Sequence, residues 1–249
     1  MKSVAAATLL AATLVHPGAV TLTSACDALF ISEYAEGSRD NKYIEIYNQG
    51  ANAIDLSNGY SLGIAINGGD PATERFPRGA TVAPGDVYVV CNDRGDSAAI
   101  LAECDWQTDF LKFNGNDGIA LASENGYIDI VGDFGEDPGR GWDVCGVSDA
   151  TRDHTLVRKE DVSCGNLYWS LSAGSDAEDC EWIVLDQNFW TNLGSHGDIT
   201  LCAESKFRLD GDLECRDAAA AAEVLVKLAP DKLAEAYARA HEADECKEE

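Results

Sequence analysis

A short, strongly ionisable stretch is the first part of this sequence whose residue types could support catalysis. Residues 32–50, SEYAEGSRDNKYIEIYNQG, contain three Glu, one Asp, one Arg, one Lys and three Tyr. Glu45 stands two positions from both Tyr43 and Tyr47, and three positions after Lys42. A glutamate in these surroundings could serve as a general acid or base, or it could stabilise the fold. The residues by themselves leave both roles open.

The histidines offer little support for catalysis. Beyond the first 25 residues the chain has only His154, His196 and His241, and it contains no G-x-S-x-G, H-E-x-x-H or G-x-x-x-x-G-K-[ST] motif. Nucleophilic, metal-dependent and phosphate-transfer chemistry usually carry such signatures. His154 opens a predicted strand and His196 follows the last one, so we interpret both as turn or capping residues. We therefore predict no catalytic residues and no enzymatic activity.

Paired carboxylates are a second route to catalysis, because the chain has 44 acidic residues. A tight Asp/Glu pair with a raised pKa inside an aromatic cleft would indicate an enzyme. A filled β-sandwich with shallow surface pockets would instead indicate a binding module. The tryptophans that could line a cleft are interpreted as core and turn anchors: Trp142, Trp169, Trp182 and Trp190.

Calcium is the one cofactor for which the sequence offers candidates. Acidic turns at 114–118, 133–139 and 210–214 read NGNDG, DFGEDPG and DGDLE. None matches the D-x-[DN]-x-[DN]-G-x5-E loop, and acidic turns are common on a surface this acidic. We expect no cofactor, and we keep calcium as the alternative.

Charge and the N-terminus define the compartment and exclude some partners. The chain has 18 basic and 44 acidic residues, a net charge of −26, which argues against nucleic acid as a partner. Residues 1–25 combine a positive start, an apolar run at 4–15 and small residues before Cys26. This pattern is typical of a secretory signal peptide and is too short to span a bilayer. We predict a secreted or cell-surface protein without a transmembrane segment after signal removal.

Cysteine usage agrees with export. None of the nine cysteines forms a C-x-x-C pair, so structural disulfides are expected rather than zinc or redox chemistry. Sequence proximity favours a pair between Cys91 and Cys104, and we also expect Cys145 to pair with Cys164. The odd count leaves one cysteine free, capped or intermolecular. The cysteines are Cys26, Cys91, Cys104, Cys145, Cys164, Cys180, Cys202, Cys215 and Cys246.

The elements that must position these residues are mainly strands. From 27 to 196, short runs of alternating apolar residues are separated by Gly, Asn, Asp and Pro, which predicts about eight strands and little helix. The Asn125-Gly126 dipeptide predicts a hairpin between two of them. This texture favours a β-sandwich or barrel. Residues 216–228 and 231–245 are rich in helix formers and predict a helical pair, which Cys215 and Cys246 could join.

A family resemblance rests on an ordered series of segments over about 170 residues, 27–197. The series is LFISEYAEGSRDNKYIEIYNQGANAIDLSNGYSLGI, GATVAPGDVYVVCN, FNGNDGIALASENGYIDIVGDFGEDPG, Trp142, DHTLVRK and EWIVLDQNFWTNLGSHG. It resembles the lamin tail domain of the secreted microbial type. The resemblance implies an immunoglobulin-like β-sandwich and a module with no agreed catalytic residues. In exported microbial proteins such domains stand alone or are joined to nucleases, phosphatases or other hydrolases.

The resemblance also assigns the opening stretch to the fold. In the family, a glutamate like Glu45 and an asparagine like Asn48 occur in domains without shared chemistry, which implies hydrogen bonds that fix a strand and its turn. We therefore predict that Glu45 is mostly buried and paired, either with Lys42 or with backbone N–H groups. His154 and His196 complete the polar residues to which we assign a structural role.

These inferences combine into one prediction. Residues 1–25 form a signal peptide, 26–197 a lamin tail domain with an immunoglobulin-like β-sandwich, and 198–249 a linker and helical extension. The function is an exported, non-catalytic binding or adhesion module for a protein or an extracellular or envelope polymer. The alternatives are an accessory or degenerate member of a secreted hydrolase system and a calcium-dependent carbohydrate-binding module.

Overall fold

The chain folds mainly into β-strands. A computed structural model describes residues 26–197, so the predicted signal peptide, the helical extension and Cys202, Cys215 and Cys246 lie outside the described residues. The strands are β1 Leu29–Glu36, β2 Lys42–Asn48, β3 Ile54–Asp55, β4 Ser61–Ala65, β5 Ala72–Arg75, β6 Thr81–Val82, β7 Val87–Asn92, β8 Trp106–Thr108, β9 Gly118–Ser123, β10 Gly126–Val131, β11 His154–Arg158 and β12 Trp182–Asp186. Two short helices, α1 Ala98–Glu103 and α2 Trp169–Ala173, and one 3-10 turn, Ile66–Gly68, complete the elements.

Two sheets form the layers of a sandwich. A six-stranded sheet has the order β12-β11-β1-β2-β7-β8, and a four-stranded sheet has the order β10-β9-β4-β5. All pairs in these sheets are antiparallel except β7 with β8. Alternate residues of both sheets point into one apolar core, as strand geometry requires. That core includes Ile31, Ile44 and Ile46 from the larger sheet, and Leu62 and Leu121 from the smaller one.

The predicted strands are present as β1, β2, β4, β7, β9, β10, β11 and β12, and the structure adds four short ones, β3, β5, β6 and β8. The hairpin predicted at Asn125-Gly126 joins β9 to β10. The four added strands have two to four residues each, too few for their alternation to be read from the sequence.

Strand β2 differs from the half-buried strand that its alternation predicts. Ile44 and Ile46 face the core, whereas Tyr43 packs in a second apolar cluster on the outer face of the six-stranded sheet. Ile100 of α1 belongs to that outer cluster, and Trp190 packs against it. Because other segments cover the outer face, β2 is buried on both sides.

Three disulfides join distant parts of the described chain. Cys91 pairs with Cys104 as expected, with 6.0 Å between their Cα atoms. The predicted pair of Cys145 with Cys164 is wrong. Cys145 pairs with Cys180, because its backbone N–H binds the Ala173 carbonyl at the end of α2 and thereby places it near Cys180. Cys164 pairs instead with Cys26, 138 residues away in sequence, and so fixes the start of the domain.

No helix within residues 26–197 is long and apolar enough to cross a membrane.

Candidate functional site

Two glutamates from neighbouring strands form the strongest candidate for chemistry. Glu33 of β1 and Glu45 of β2 are cross-strand partners, and both side chains are 0% exposed. We call them the acid pair. Regular alternation from the core residue Ile31 would turn Glu33 into the core. A β-bulge between Ile31 and Glu33 shifts the register, so Ser32 and Glu33 both face Glu45 on the outer side.

Each member of the acid pair is hydrogen-bonded. The Ser32 hydroxyl donates to Glu45 Oε1 and the Gly194 backbone N–H to Glu45 Oε2, both at 2.7 Å. The Tyr43 hydroxyl donates to Glu33 Oε2 at 2.6 Å, and the Asn192 amide donates to Glu33 Oε1 at 3.0 Å. Glu45 is therefore buried and bound to a backbone N–H, as expected.

Burial controls the ionisation of the acid pair. It raises the pKa of Glu33 to about 7, although the hydrogen bonds from Tyr43 and Asn192 oppose the rise. Burial also raises the pKa of Glu45 well above its ordinary value, and the facing charge of Glu33 adds to that shift. Within residues 26–197, no Lys, Arg or His forms an ion pair with either glutamate. The pair therefore holds at least one proton at neutral pH.

A segment at the end of the described chain covers the acid pair. We call residues 187–197 the C-terminal strap. It begins beside Gly37, where Asn188 accepts a hydrogen bond from the Ser38 N–H at 2.8 Å. Trp190 then packs its ring 6.4 Å from that of Tyr43. Asn192 and Gly194 follow with the two hydrogen bonds to the acid pair.

The last part of the strap is held by aromatic contacts. His196 packs against Phe30 and Tyr47, with ring centroids 5.3 Å and 4.6 Å apart. Burial lowers the pKa of His196 to about 4, and the charge of Arg158 adds to the decrease. His196 is therefore neutral at physiological pH. Its buried Nδ1 has no hydrogen-bond partner among the described residues.

The acid pair meets only part of the condition for an enzyme. The two carboxyl groups are close and have raised pKa values, but they lie beneath the strap and have no exposed surface. A general acid must reach the substrate atom that it protonates. In this arrangement the carboxyl groups hold the strap and retain a proton, and neither can contact a substrate.

The other predicted polar residues support turns and ends of strands. Asn48 donates to the carbonyls of Asn52, Val82 and Ala83 and accepts the Gly50 N–H, so it fixes the turn after β2. The proposed partnership of Lys42 with Glu45 is wrong. Lys42 Nζ lies 3.0 Å from Glu36 Oε1, because the two residues face each other where β1 and β2 are joined.

His154 begins β11, and its Nδ1 lies 2.6 Å from the Arg152 carbonyl oxygen, a contact within one turn. Of the tryptophans, Trp169 and Trp182 are buried, and Trp142 and Trp190 are partly buried against the apolar clusters.

In two of the three calcium candidates, one carboxylate is already bound by the protein itself. Asp117 accepts the N–H groups of Asn67 and Asn114, and Asp137 accepts the Asn116 amide and the Gly139 N–H. The third candidate, 210–214, lies outside the described residues. Among residues 26–197, no three His, Cys, Asp or Glu side chains converge in a way that could hold a metal ion.

Sequence reasoning missed a second buried acidic group, centred on Arg158. The Arg158 guanidinium donates to Asp129 and Glu181, each at 2.6 Å, and also to the Ile31 carbonyl and the Ser172 hydroxyl. It lies 3.9 Å from the centre of the Trp182 ring. A signal was present in HTLVR: strand periodicity places Arg158 on the face of the core residue Leu156.

An exposed apolar surface lies at α2. Leu167, Tyr168 and Leu171 are 49%, 72% and 65% exposed, and we call them the α2 patch. They are three of the six large apolar side chains that are exposed within residues 26–197. Trp169 lies between them in sequence but is buried, with its ring 6.4 Å from both Trp142 and Trp182. The buried Trp169 therefore anchors the segment that carries the α2 patch.

Hydrogen bonds fix the segment that carries the α2 patch. Asn166 donates its backbone N–H to Asp129 and its amide to Glu181, both at 2.8 Å, and its side-chain oxygen accepts the Tyr168 N–H. The surrounding stretch, 160–181, contains six acidic residues and no Lys, Arg or His. The patch is thus an apolar surface within an acidic segment.

Comparison with known proteins agrees with this architecture. The two packed sheets define an immunoglobulin-like β-sandwich. A family model described as Lamin Tail Domain matches residues 23–134, a little under half of the chain, so this part is similar to lamin tail domains. No curated protein matches the chain.

Proposed function

We propose that this protein is an exported, non-catalytic binding module of the secreted microbial lamin-tail type, and that it binds a protein partner through the α2 patch. Similarity to lamin tail domains supports a module of this kind, since that family provides an immunoglobulin-like scaffold. Three disulfides within the described residues support an oxidising compartment. The predicted signal peptide at residues 1–25 provides the route of export.

The single observation that carries the proposal is the exposure of Tyr168 and Leu171 on a segment that Asn166 and the buried Trp169 hold in place. Exposed apolar side chains are ordinary when they are scattered, but here three lie within five consecutive residues. Tyrosine is enriched where interfaces have their highest binding energy. Because Asn166 and Trp169 already fix this segment, a partner loses little conformational entropy by ordering it.

The charge around the patch determines the chemistry of the partner. Glu160, Asp161, Asp176 and Glu178 are exposed on the two sides of α2 in sequence. They attract a surface on which an aliphatic or aromatic side chain is surrounded by Lys or Arg. The same acids repel an anionic membrane and a second copy of this chain. We therefore assign a basic protein surface as the occupant.

The proposal is tested by comparing partners captured from the native secretome by three forms of the full exported chain. These are the wild type, the double variant Tyr168→Ser/Leu171→Ser, and the control Ile66→Ser. Ile66 is 50% exposed on the 3-10 turn, so the control removes an exposed apolar side chain elsewhere on the domain.

The expected result is a basic protein that wild type and the control retain and the double variant loses. Calorimetry with that protein, once purified, should reproduce the loss and show weaker binding at high salt. Equal capture by all three forms would contradict binding through the α2 patch. Self-association that the double variant abolishes would contradict a basic partner, and hydrolysis of a phosphoester or glycan by the pure protein would contradict a non-catalytic module.

A further inference from the structure

We propose that the C-terminal strap is a pH-sensitive latch, held closed over the acid pair at mildly acidic pH and released as the pH rises above neutrality. The proposal concerns the outer face of the six-stranded sheet and is independent of the α2 patch. It begins from geometry: two carboxyl groups face each other across adjacent strands, and the strap covers both of them.

The strap can separate from the sandwich without breaking a sheet. It follows β12, the edge strand of the larger sheet, and residues 187–197 contain no cysteine. The three disulfides of the described chain all join residues before Trp182. Among residues 26–197, side-chain packing and a few hydrogen bonds hold the strap, and contacts of this kind open locally in folded proteins.

The direction of the pH effect follows from burial. When the strap is closed, the carboxyl groups have no exposed surface, and burial raises the pKa of both. When the strap is open, water reaches them and their pKa values return toward the ordinary range. The closed state thus binds more protons than the open state. The contribution of the acid pair to closure is fully present below about pH 4.5, the ordinary Glu value, and weakens as the pH rises through 7.

Ionisation also has an opposing effect on the same contacts. Asn192 and Gly194 donate to the carboxyl oxygens, and a carboxylate accepts such hydrogen bonds better than a neutral acid does. The pKa of Glu33 is nevertheless raised, because burial outweighs the hydrogen bonds from Asn192 and Tyr43. Burial likewise outweighs the Gly194 N–H at Glu45. The net effect of ionisation is to favour the open strap.

The charged groups around the pair reinforce this direction. Glu103 of α1 lies next to Gly194, and its charge raises the pKa of Glu45 further. Tyr43 of β2 has a raised pKa because of burial and the Glu33 charge, so it stays neutral. Arg158 of β11 affects the strap through His196 and is engaged by Asp129. Repulsion between ionised carboxylates therefore has no nearby cation to offset it among the described residues.

His196 changes the stability of the closed strap at acidic pH, in the direction opposite to the acid pair. Its pKa is about 4 in the closed strap and about 6.5 in the open one, so His196 weakens closure as the pH falls below 6.5. Above pH 6.5 this contribution changes the equilibrium only about twofold more, and in favour of closure. Release of the strap between pH 6.5 and 9 therefore cannot come from His196.

Opening would uncover an aromatic surface. Phe30, Tyr43 and Tyr47 lie on the outer face of the sheet and have strap residues packed on them. A closed latch hides this surface, and an open latch presents it beside the acid pair. The latch thus gives the protein a second surface whose exposure depends on pH.

The test is amide hydrogen exchange of the full exported chain at pH 6.5, 7.5 and 8.5, with rates corrected for intrinsic exchange. We expect the protection factor of strap amides, Gly194 above all, to fall roughly tenfold or more over this range, since each pKa unit changes the equilibrium tenfold. Strands β1 and β2 should keep their protection. In Glu33→Gln/Glu45→Gln the strap should stay protected at every pH, and Glu124→Gln, in the exposed β9–β10 turn, should behave as wild type.

Each other outcome overturns the latch. Constant strap protection in wild type would show that the acid pair does not control it. Simultaneous loss in β1 and β2 would show global unfolding instead. If the double variant does not fold, the single variant Glu45→Gln keeps the test decisive: it must reduce the pH dependence, and an unchanged dependence rejects the proposal.

Discussion

Two of the buried acidic groups within residues 26–197, Asp129 and the acid pair, differ in the presence of a cation. Asp129 is fully buried between the sheets, and it accepts the Arg158 guanidinium together with the backbone N–H groups of Ile31, Ile130 and Asn166. The acid pair is equally buried on the outer face, but its donors are neutral. Burial raises the pKa at both places, and only at Asp129 does a cation oppose the rise.

This difference separates a permanent cross-link from a titratable contact. Arg158 bonds to β1 through Ile31, to α2 through Ser172 and to β10 through Asp129, so it connects several parts of the sandwich. Because Arg158 remains charged at all physiological pH values, its cation always faces Asp129. The acid pair gains or loses protons near neutrality, and the strap above it changes accordingly.

The largest expected effect comes from removing the cation. Arg158→Met leaves Asp129 buried without its partner and should lower the free energy of unfolding by about 3–5 kcal/mol, measured by urea denaturation. Arg140→Met is the matched control, since the Arg140–Asp149 pair is exposed and should be worth less than about 1 kcal/mol. Arg158→Met/Asp129→Asn should recover part of the loss. A loss below about 1 kcal/mol for Arg158→Met would contradict the cross-link.

A second effect should appear only as a function of pH. Glu33→Gln/Glu45→Gln keeps the shape of the acid pair but cannot ionise, so its stability relative to wild type should increase as the pH rises. The pKa of Glu33 shifts from 4.5 to about 7, which corresponds to a relative gain on the order of 3 kcal/mol between pH 4.5 and 8. Urea denaturation at four pH values measures the gain. If the difference in unfolding free energy between the variant and wild type stays constant with pH, the acid pair must be in contact with solvent.

The smallest effect concerns His196. Its pKa is lowered, so wild type should lose stability as the pH falls from 6.5 toward 4. His196→Phe keeps an aromatic ring against Phe30 and Tyr47 and removes the titration, so the loss should decrease by about 1 kcal/mol, a discounted value for a partly exposed ring. Thermal unfolding from pH 6.5 to 4 checks this expectation. An identical acid dependence in the two proteins would reject the role of His196.

Much of the fold could be predicted because strand periodicity is local. Five consecutive residues are enough to show the alternation of Ile44 and Ile46 with Tyr43, Glu45 and Tyr47. The two turn residues Asn125-Gly126 are enough to predict the hairpin. The Cys91–Cys104 pair was accessible for the same reason, since its sequence separation is 13. The Cys26–Cys164 pair was not, because its separation of 138 requires the complete topology.

The candidate site could be predicted only in part, because one bulged residue determines it. The sequence predicts that Glu45 is buried and hydrogen-bonded. It does not predict the partner Glu33, since regular alternation from Ile31 sends Glu33 into the core. The extra residue Ser32 reverses that direction, and the sequence carries no clear sign of a bulge. The sequence likewise does not show that the strap covers the acid pair, because Asn192 and Gly194 lie about 150 residues from the glutamates that they bind.

The most direct test of the comparison is carbon-13 NMR titration of the glutamate carboxyl groups in the intact protein. The Glu33 signal is assigned through its loss in Glu33→Gln. The structure predicts a midpoint for Glu33 at about pH 7, because the acid pair is buried under the strap without a cation. A midpoint near 4.5, the ordinary value for an exposed glutamate, would contradict that arrangement.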